Sequence, residues 1–459
     1  MKKLLKKILF SDYIFPLYRI LYSIVFKMKK GHGGSNAQEY FSELTKSEYA
    51  SIEEIEEIQN RKLTKLIEEV YENVPFYRQA MLEKNVKPHD IKTVNDLHIF
   101  PIVTKKDIIE NPQAFINKKY KMSDLNLIET GGSSGTPMQF YYGNNEISVR
   151  CAHIEWWKKI AGVKQFDRFV YIANDEYARR KANYKGRIMP EGYYFLTAFR
   201  FEDHMIKEYC KTIFKYKPVY LRGYASGVYL LADYFRRNNL FYPFKVVMTS
   251  SDTLFDYQRD LIEEVFKCPV FDFYHQSEDC VIACECEQHD GFHLVMESCY
   301  AEIVDENGNK VEDGKSGMIL GTQLENLSMP LIRYDLTDIG EISKDPCPCG
   351  RNHYKIKNLY GRKDAFIVTP AGKKVSAATL SIPLKHLYKE IKEAQFIQTK
   401  IDEIIIKYIP TDTFSENSMT LLKKELSDKV SSEIKYKFLP VDKIEKTMRG
   451  KHRLVVSDL

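Results

Sequence analysis

Between residues 145 and 273 this 459-residue chain alternates helical stretches with short apolar runs, and that rhythm narrows the fold most. A helix is expected over residues 145–161, then a strand at Phe169-Val170-Tyr171-Ile172. Helices over 207–216, 226–238 and 256–266 alternate with strands at Val219-Tyr220-Leu221, Lys245-Val246-Val247-Met248-Thr249 and Val270-Phe271-Asp272-Phe273. Strands separated by helices point to a parallel α/β sheet. In such sheets ligands bind beyond the carboxyl ends of the strands. Two polar segments fall at such ends, Thr249-Ser250-Ser251-Asp252 and Tyr274-His275-Gln276-Ser277-Glu278.

The flanks read differently. Residues 36–120 are mostly helical, with Leu63, Leu66, Ile67 and Val70 at helical spacing and Pro101 as a break. Residues 292–342 carry short alternating strands with turns at Asp305-Glu306-Asn307-Gly308 and Asp313-Gly314, which suggests a β-rich subdomain. Residues 361–459 form a small α+β unit. Residues 1–30 stand apart. Lys2, Lys3, Lys6 and Lys7 precede an apolar, aromatic run from Ile8 to Phe26, and Lys27, Lys29 and Lys30 close it. Asp12, Pro16 and Arg19 interrupt the run, so a membrane-spanning length is missing. A basic amphipathic helix at the membrane interface, with Tyr13, Tyr18 and Tyr22 at the boundary, is one reading. A helix packed on the protein's own surface is the other. Residues 31–35 (GHGGS) make a flexible linker. The expected domains are therefore 1–30, 36–360 and 361–459.

Bulk composition sets the outer limits. A chain this long exceeds one ordinary core, and 44% hydrophobic with 29% charged residues excludes disordered and fibrous classes. The net charge of +5 is too diffuse for a nucleic-acid partner. Nine cysteines without a secretory signal favour a reducing, cytoplasmic setting, with clustered cysteines as metal ligands before disulfides. Cys286, His293, Cys347 and Cys349 make a Cys₃His set for structural zinc, in which Cys284 or His289 could substitute. Buried inert cysteines remain the alternative.

Just upstream of the alternating region lies Thr130-Gly131-Gly132-Ser133-Ser134-Gly135-Thr136-Pro137, three glycines and four hydroxyls in eight residues. Glycine permits close backbone approach, and successive N–H groups with hydroxyls cradle phosphate oxygens. No lysine follows Gly135, so this is not the GxxxxGK[ST] loop. A bound anion would need a metal, or a lysine from elsewhere in the chain.

Five segments, in one order, resemble the adenylate-forming enzymes. The glycine loop is similar to TSG[ST]TGxP, and Tyr274 to Glu278 to YGx[ST]E. Arg333-Tyr334-Asp335-Leu336-Thr337-Asp338 is similar to [RY]xxTGD, Gly361-Arg362-Lys363-Asp364 to the GRxD hinge, and Arg449-Gly450-Lys451 to the terminal GK. Three further segments resemble the phenylacetate–CoA ligase family in its capsular-polysaccharide branch. They are Leu221-Arg222-Gly223-Tyr224-Ala225-Ser226, Met329 through Asp335, and Cys347-Pro348-Cys349-Gly350-Arg351.

The resemblance implies a large N-terminal domain with parallel α/β sheets and a β-rich subdomain, and a small mobile C-terminal domain hinged at Asp364. It implies that a carboxylic acid is activated by ATP as acyl-AMP and passed to a thiol, with coenzyme A the default acceptor. By the same resemblance Thr130, Gly131, Gly132, Ser133, Ser134, Gly135 and Thr136 hold phosphates, and Glu278 holds Mg²⁺. Ser251, Asp252, Tyr274, His275 and Ser277 would line the nucleotide site, with Tyr274 offering adenine a face. Asp338 and Arg362 would meet the ribose. Lys451, rather than Lys446, would reach the α-phosphate. The acid pocket is expected between the glycine loop and Glu278, including Tyr224 and some of residues 194–201. His153, followed by Trp156 and Trp157, lines it or packs in the core. Four departures stand out: Gly131, His275 and Thr337 replace the usual residues, and Ile367-Val368-Thr369-Pro370-Ala371-Gly372 replaces the basic approach to the pantetheine tunnel. Two further readings stay open: acyl transfer to an amino sugar or carrier protein, and an inactive, membrane-associated subunit of a glycan assembly complex.

Overall fold

The expected alternation becomes one long sheet in the computed structural model. It describes residues 35–129, 138–173, 186–189, 191–198, 202–363, 365–447, 451–457 and 459, with Ile8, Phe10, Ser11, Ile14, Phe15, Leu17, Tyr18 and Leu21. Helices α1 (Ser35–Ser47), α2 (Ile52–Asn73) and α3 (Pro75–Glu83) come first, then the short α4 (Lys105–Glu110). A capping box starts α2: Glu54 N–H donates to Ser51 Oγ at 3.2 Å and Ser51 N–H to Glu54 Oε2 at 2.9 Å. Its buried stripe is Ile55, Gln59, Leu63, Leu66, Ile67 and Val70. Hairpin β1 (Asn126–Glu129)–β2 (Gln139–Tyr142) leads into α5 (Asn144–Ile160).

The central sheet begins with β3 (Phe169–Ala173), β4 (Arg187–Ile188) and β5 (Tyr193–Thr197). Next come α6 (Asp203–Tyr216), β6 (Tyr220–Tyr224), α7 (Ala225–Arg237), β7 (Val246–Ser250), α8 (Asp256–Phe266) and β8 (Val270–His275). Strands β8, β7, β6, β3 and β5 run parallel in that spatial order. One face buries Val170, Ile172, Leu221 and Val247 under the helices, and the other buries Phe169, Tyr220, Met248 and Phe273 against Trp156 and Trp157 of α5.

The β-rich segment, expected as a separate subdomain, continues this sheet. It comprises β9 (Ile282–Glu285), β10 (Phe292–Leu294), β11 (Cys299–Val304), β12 (Gly317–Gln323), β13 (Tyr334–Ser343) and β14 (Lys355–Arg362). All pair antiparallel, giving twelve strands in the order β11-β12-β13-β14-β10-β9-β8-β7-β6-β3-β5-β4. At the β11 end, Gln59 of α2 donates to the carbonyls of Met296 and Cys299, both at 3.0 Å. Val311 N–H donates back to Ile303 at 3.0 Å.

Beyond β14 follow β15 (Phe366–Val368), β16 (Lys374–Ser376) and α9 (Ala377–His386). Then come β17 (Ile391–Lys400), β18 (Glu403–Pro410), α10 (Glu416–Lys429), β19 (Lys435–Pro440) and β20 (Val455–Ser457). The last four strands form a sheet ordered β19-β18-β17-β20. Its apolar residues Phe396, Ile404, Leu422 and Val455 share one buried cluster with Tyr229, Leu261 and Ile262 of α7 and α8.

Most of residues 1–34 lie outside the described residues. Those described pack in part on the protein's own surface: Phe15 is buried beneath the Arg168 guanidinium, 4.3 Å from its ring, and Phe10 meets Tyr194 and Tyr216. Ile14, Leu17 and Leu21 remain exposed. Among the described residues no helix is long and apolar enough to cross a membrane.

Candidate active site

The parallel strands bring the sequence-selected groups to one end of the sheet. At the end of β7, Ser251 takes a left-handed φ of 79° and turns the chain so that Asp252 points back into the protein. Asp252 Oδ2 accepts from Ser226 Oγ at 2.5 Å, at the start of α7, while its buried Oδ1 has no partner among the described residues. Burial raises the Asp252 carboxyl above its usual range, and Lys451 opposes that rise. The Lys451 ammonium stands 5.9 Å from the Tyr224 ring at the end of β6. Its backbone is held in a turn: Lys451 N–H donates to Thr447 Oγ1 at 3.1 Å, and Thr447 N–H to the Lys451 carbonyl at 3.0 Å.

A second group forms around Glu278, just beyond β8. Its backbone carbonyl accepts from Tyr142 Oη at 2.6 Å and from Gln323 Nε2, which fixes the peptide. Its carboxylate accepts from Tyr334 Oη at 3.2 Å. Burial pushes this carboxyl above its ordinary pKa. Lys105 and Arg362 both act on it electrostatically, and burial lowers the Lys105 pKa. The next residue, Asp279, has φ 47°, and Arg333 and Thr337 of the later motif have φ 51° and 60°. Ser251, Asp279, Arg333 and Thr337 are four of the ten left-handed non-glycine residues among those described.

Tyr274, Asp338 and Arg362 come together as expected. Tyr274 Oη donates to Asp338 Oδ2 at 2.7 Å, and Asp338 faces Arg362 across the β13–β14 register. His275 instead turns to Asp279, with Nδ1 3.3 Å from Oδ1, and Arg150 holds the other carboxylate oxygen at 3.2 Å. Ser277 contributes its carbonyl, which accepts from Arg150 at 3.1 Å. His153 is buried, with Nε2 2.8 Å from Ser298 Oγ. Residues Thr130, Gly131, Gly132, Ser133, Ser134, Gly135, Thr136, Asp364, Arg449 and Gly450 lie outside the described residues, as do residues 199–201 of the expected acid pocket.

The thiol and imidazole side chains converge in the antiparallel half. One ligand atom from each of Cys286, His293, Cys347 and Cys349 lies within 4.8 Å of the others. Cys286 Sγ and Cys347 Sγ are 3.7 Å apart, and Cys349 Sγ is 3.4 Å from His293 Nε2. Four ligands about 2.3 Å from a central ion stand about 3.8 Å apart in a tetrahedron, so the set fits zinc. His293 Nδ1 lies 3.3 Å from the His353 carbonyl, which leaves Nε2 for a metal. Neither substitute joins: Cys284 packs in the core and His289 pairs with Glu285.

Sequence reading assigned no role to Lys105, Tyr334 or Arg222. A parallel bridge between Val103 and Tyr334 brings Lys105 to the site, a contact between distant segments with no local signature. Tyr334 sits inside the [RY]xxTGD-like run and Arg222 inside Leu221–Ser226, so their positions were visible but not their use.

A profile described as the CapK C-terminal domain matches residues 367–458. Protein CapK of Staphylococcus aureus is 27% identical over 410 residues, covering 88% of this chain and 89% of that protein. A phenylacetate-coenzyme A ligase of Thermus thermophilus is 21% identical, covering 88% and 96%. Among solved structures, a 2-hydroxyisobutyryl-CoA ligase in its postadenylation state superposes with a TM-score of 0.71 at 21% identity, covering 90% of this chain and 92% of that one. The same ligase in its thioesterification state gives 0.57 at 20% identity, with the same coverage.

Proposed function

We propose that this chain is a member of the phenylacetate–CoA ligase family of adenylate-forming enzymes, in its capsular branch, and that it activates a small carboxylic acid with ATP. A carboxylate oxygen attacks the α-phosphorus and forms the acyl phosphate bond. The bond from that phosphorus to the bridging oxygen breaks, and pyrophosphate leaves. In the second half-reaction the thiol of coenzyme A attacks the acyl carbon, a thioester forms, and AMP departs. The setting is cell-surface polysaccharide metabolism.

The observation that carries this reading is the meeting of Lys451 with Tyr224 and Asp252 at the carboxyl ends of β6 and β7. A flexible ammonium there can offset charge that develops on the α-phosphate. The better superposition on a postadenylation arrangement supports the same placement. Tyr274, Asp338 and Arg362 form the nucleoside wall, with Ser251, His275 and Ser277 on adjoining turns, and the glycine loop from Thr130 to Thr136 takes the outer phosphates. Glu278 would hold Mg²⁺ against those phosphates, a metal whose charge returns the buried carboxyl to its ionised form. Asp364 serves as the hinge between the two reaction states.

Cys286, His293, Cys347 and Cys349 would hold a structural zinc, all four positions being closed. Elemental analysis of purified protein should find about one zinc per chain, and Cys347→Ser should lower both zinc content and unfolding temperature. Exposed Ile14, Leu17 and Leu21, flanked by the lysines of residues 1–30, form a contact with the inner face of the membrane.

Pyrophosphate release with hydroxylamine as acyl trap, over a panel of carboxylic acids, tests the main reading. Release with one acid class, abolished in Lys451→Ala, is expected. ATP consumption that is independent of added acid, or unchanged in the variant, would overturn it.

A further inference from the structure

Arg222 is buried in the middle of β6, two residues before Tyr224, and has no hydrogen-bond or ion-pair partner among the described residues. Its guanidinium lies between two aromatic rings, 5.0 Å from Tyr171 on the neighbouring strand β3 and 5.2 Å from Trp157 of α5. Aromatic faces stabilise a cation, but they leave its N–H donors unused. Arg222 Nε is such a donor, and so is the buried indole Nε1 of Trp157 beside it. Asp279, beyond β8, is already held by Arg150 and His275. A buried guanidinium is costly unless something anionic meets it, and the described residues place nothing there.

The location says what should meet it. Arg222 and Tyr224 are about 6.6 Å apart along one strand, and the Lys451 ammonium stands over Tyr224. An acid whose reacting carboxylate lies near Lys451 therefore has its far end within reach of Arg222. We propose that Arg222 is a specificity residue that binds a second carboxylate on the acid, so that the substrate class is dicarboxylic. The planar guanidinium suits bidentate binding of a carboxylate, and the Trp157 indole can donate to the same group. This inference rests on the adenylation reading for the position of the reacting carboxylate.

The test compares dicarboxylic acids from malonate to adipate with monocarboxylic acids from propionate to hexanoate. Each is measured by calorimetric binding, with and without ATP, and by pyrophosphate release. Wild-type protein should bind and turn over one of the dicarboxylic acids best. Arg222→Met should lower kcat/KM for that acid by on the order of 10²-fold or more, with monocarboxylic acids changed only a few-fold. Arg222→Lys, which keeps charge but not the fork, should fall between. The unfolding midpoint of Arg222→Met should hold or rise, because the variant removes an uncompensated buried charge.

A wild-type preference for neither series would overturn the assignment and leave water as the partner of Arg222. So would equal loss for both series together with a lowered unfolding midpoint, the signature of a structural role. Arg222-dependent binding of a dicarboxylic acid without pyrophosphate release would keep the assignment and overturn adenylation instead.

Discussion

Two sets of buried polar groups around the central sheet meet different fates. In the antiparallel half Arg333 is closed on Glu302 at 2.7 Å and Arg351 on Glu48 at 2.7 Å, while Glu297 meets His353 Nε2 at 3.0 Å. On the parallel side, Arg222 Nε in the middle of β6, Trp157 Nε1 on α5 and Asp252 Oδ1 beyond β7 are buried without partners among the described residues. Paired charges fix a geometry, whereas unpaired ones cost stability that a ligand can return. The paired charges therefore act as scaffold, and the unpaired groups on the parallel side are where the proposed acid would bind.

Breaking a pair in the scaffold should have the largest effect on stability. Arg333→Met strands Glu302 and should cost about 3–5 kcal/mol, measured by urea unfolding, with turnover per folded molecule falling far less than in Lys451→Ala. A large fall in that turnover at constant stability would erase the distinction between the halves. Lys451→Ala should do the reverse, lowering pyrophosphate release by about 10²–10³-fold with the unfolding midpoint unmoved.

Acid sharpens the contrast. Burial pushes the Glu297 carboxyl up, but His353 and Ser47 outweigh it and hold the group at about 2 against an ordinary 4.5. Its depressed pKa contributes stability that is complete above the ordinary value and is lost as pH falls toward about 2. Glu297→Gln should flatten the acid limb of the stability curve in that window. Glu278 moves the other way: burial raises its carboxyl, so protons should compete with Mg²⁺ there, and pyrophosphate release at low Mg²⁺ should fail on acidification and be restored by added Mg²⁺. The smallest effect belongs to Thr337, a β-branched residue at φ 60°. Thr337→Gly should stabilise the fold by at most about 1 kcal/mol, read from the shift in the urea midpoint.

Sequence pattern located the parallel half closely. The helix expected over 256–266 is α8 to the residue, and the strands expected at 169, 219, 245 and 270 begin within one residue of those observed. Period and length are local properties, so they are legible. Strand β5 was missed because no helical stretch is recognisable between it and β3. The continuity of the sheet was missed because the β8–β9 pairing, Phe273 opposite Cys284, leaves no trace in either run alone. The candidate site divides the same way. Residue types announced the Cys286, His293, Cys347 and Cys349 cluster and the Tyr274–Asp338–Arg362 group. The placement of Lys105, and of Arg222 between Tyr171 and Trp157, depends on distant segments, so only three-dimensional structure displays it.

Sheets this wide face a hazard at their margins, where unpaired N–H and C=O groups can template a stranger's strand. At one margin β4 spans only Arg187–Ile188. At the other, Gln59 and the returning Val311 occupy backbone groups of the β11 region. The small sheet ends on β19, an edge that carries exposed Lys435 and Lys437 and stops at Pro440. Lysine and proline on an edge discourage further pairing. The same hydrogen-bonding capacity that builds a twelve-stranded platform is thereby kept from building fibrils, and the chain should stay dispersed at concentrations where bare edges would aggregate.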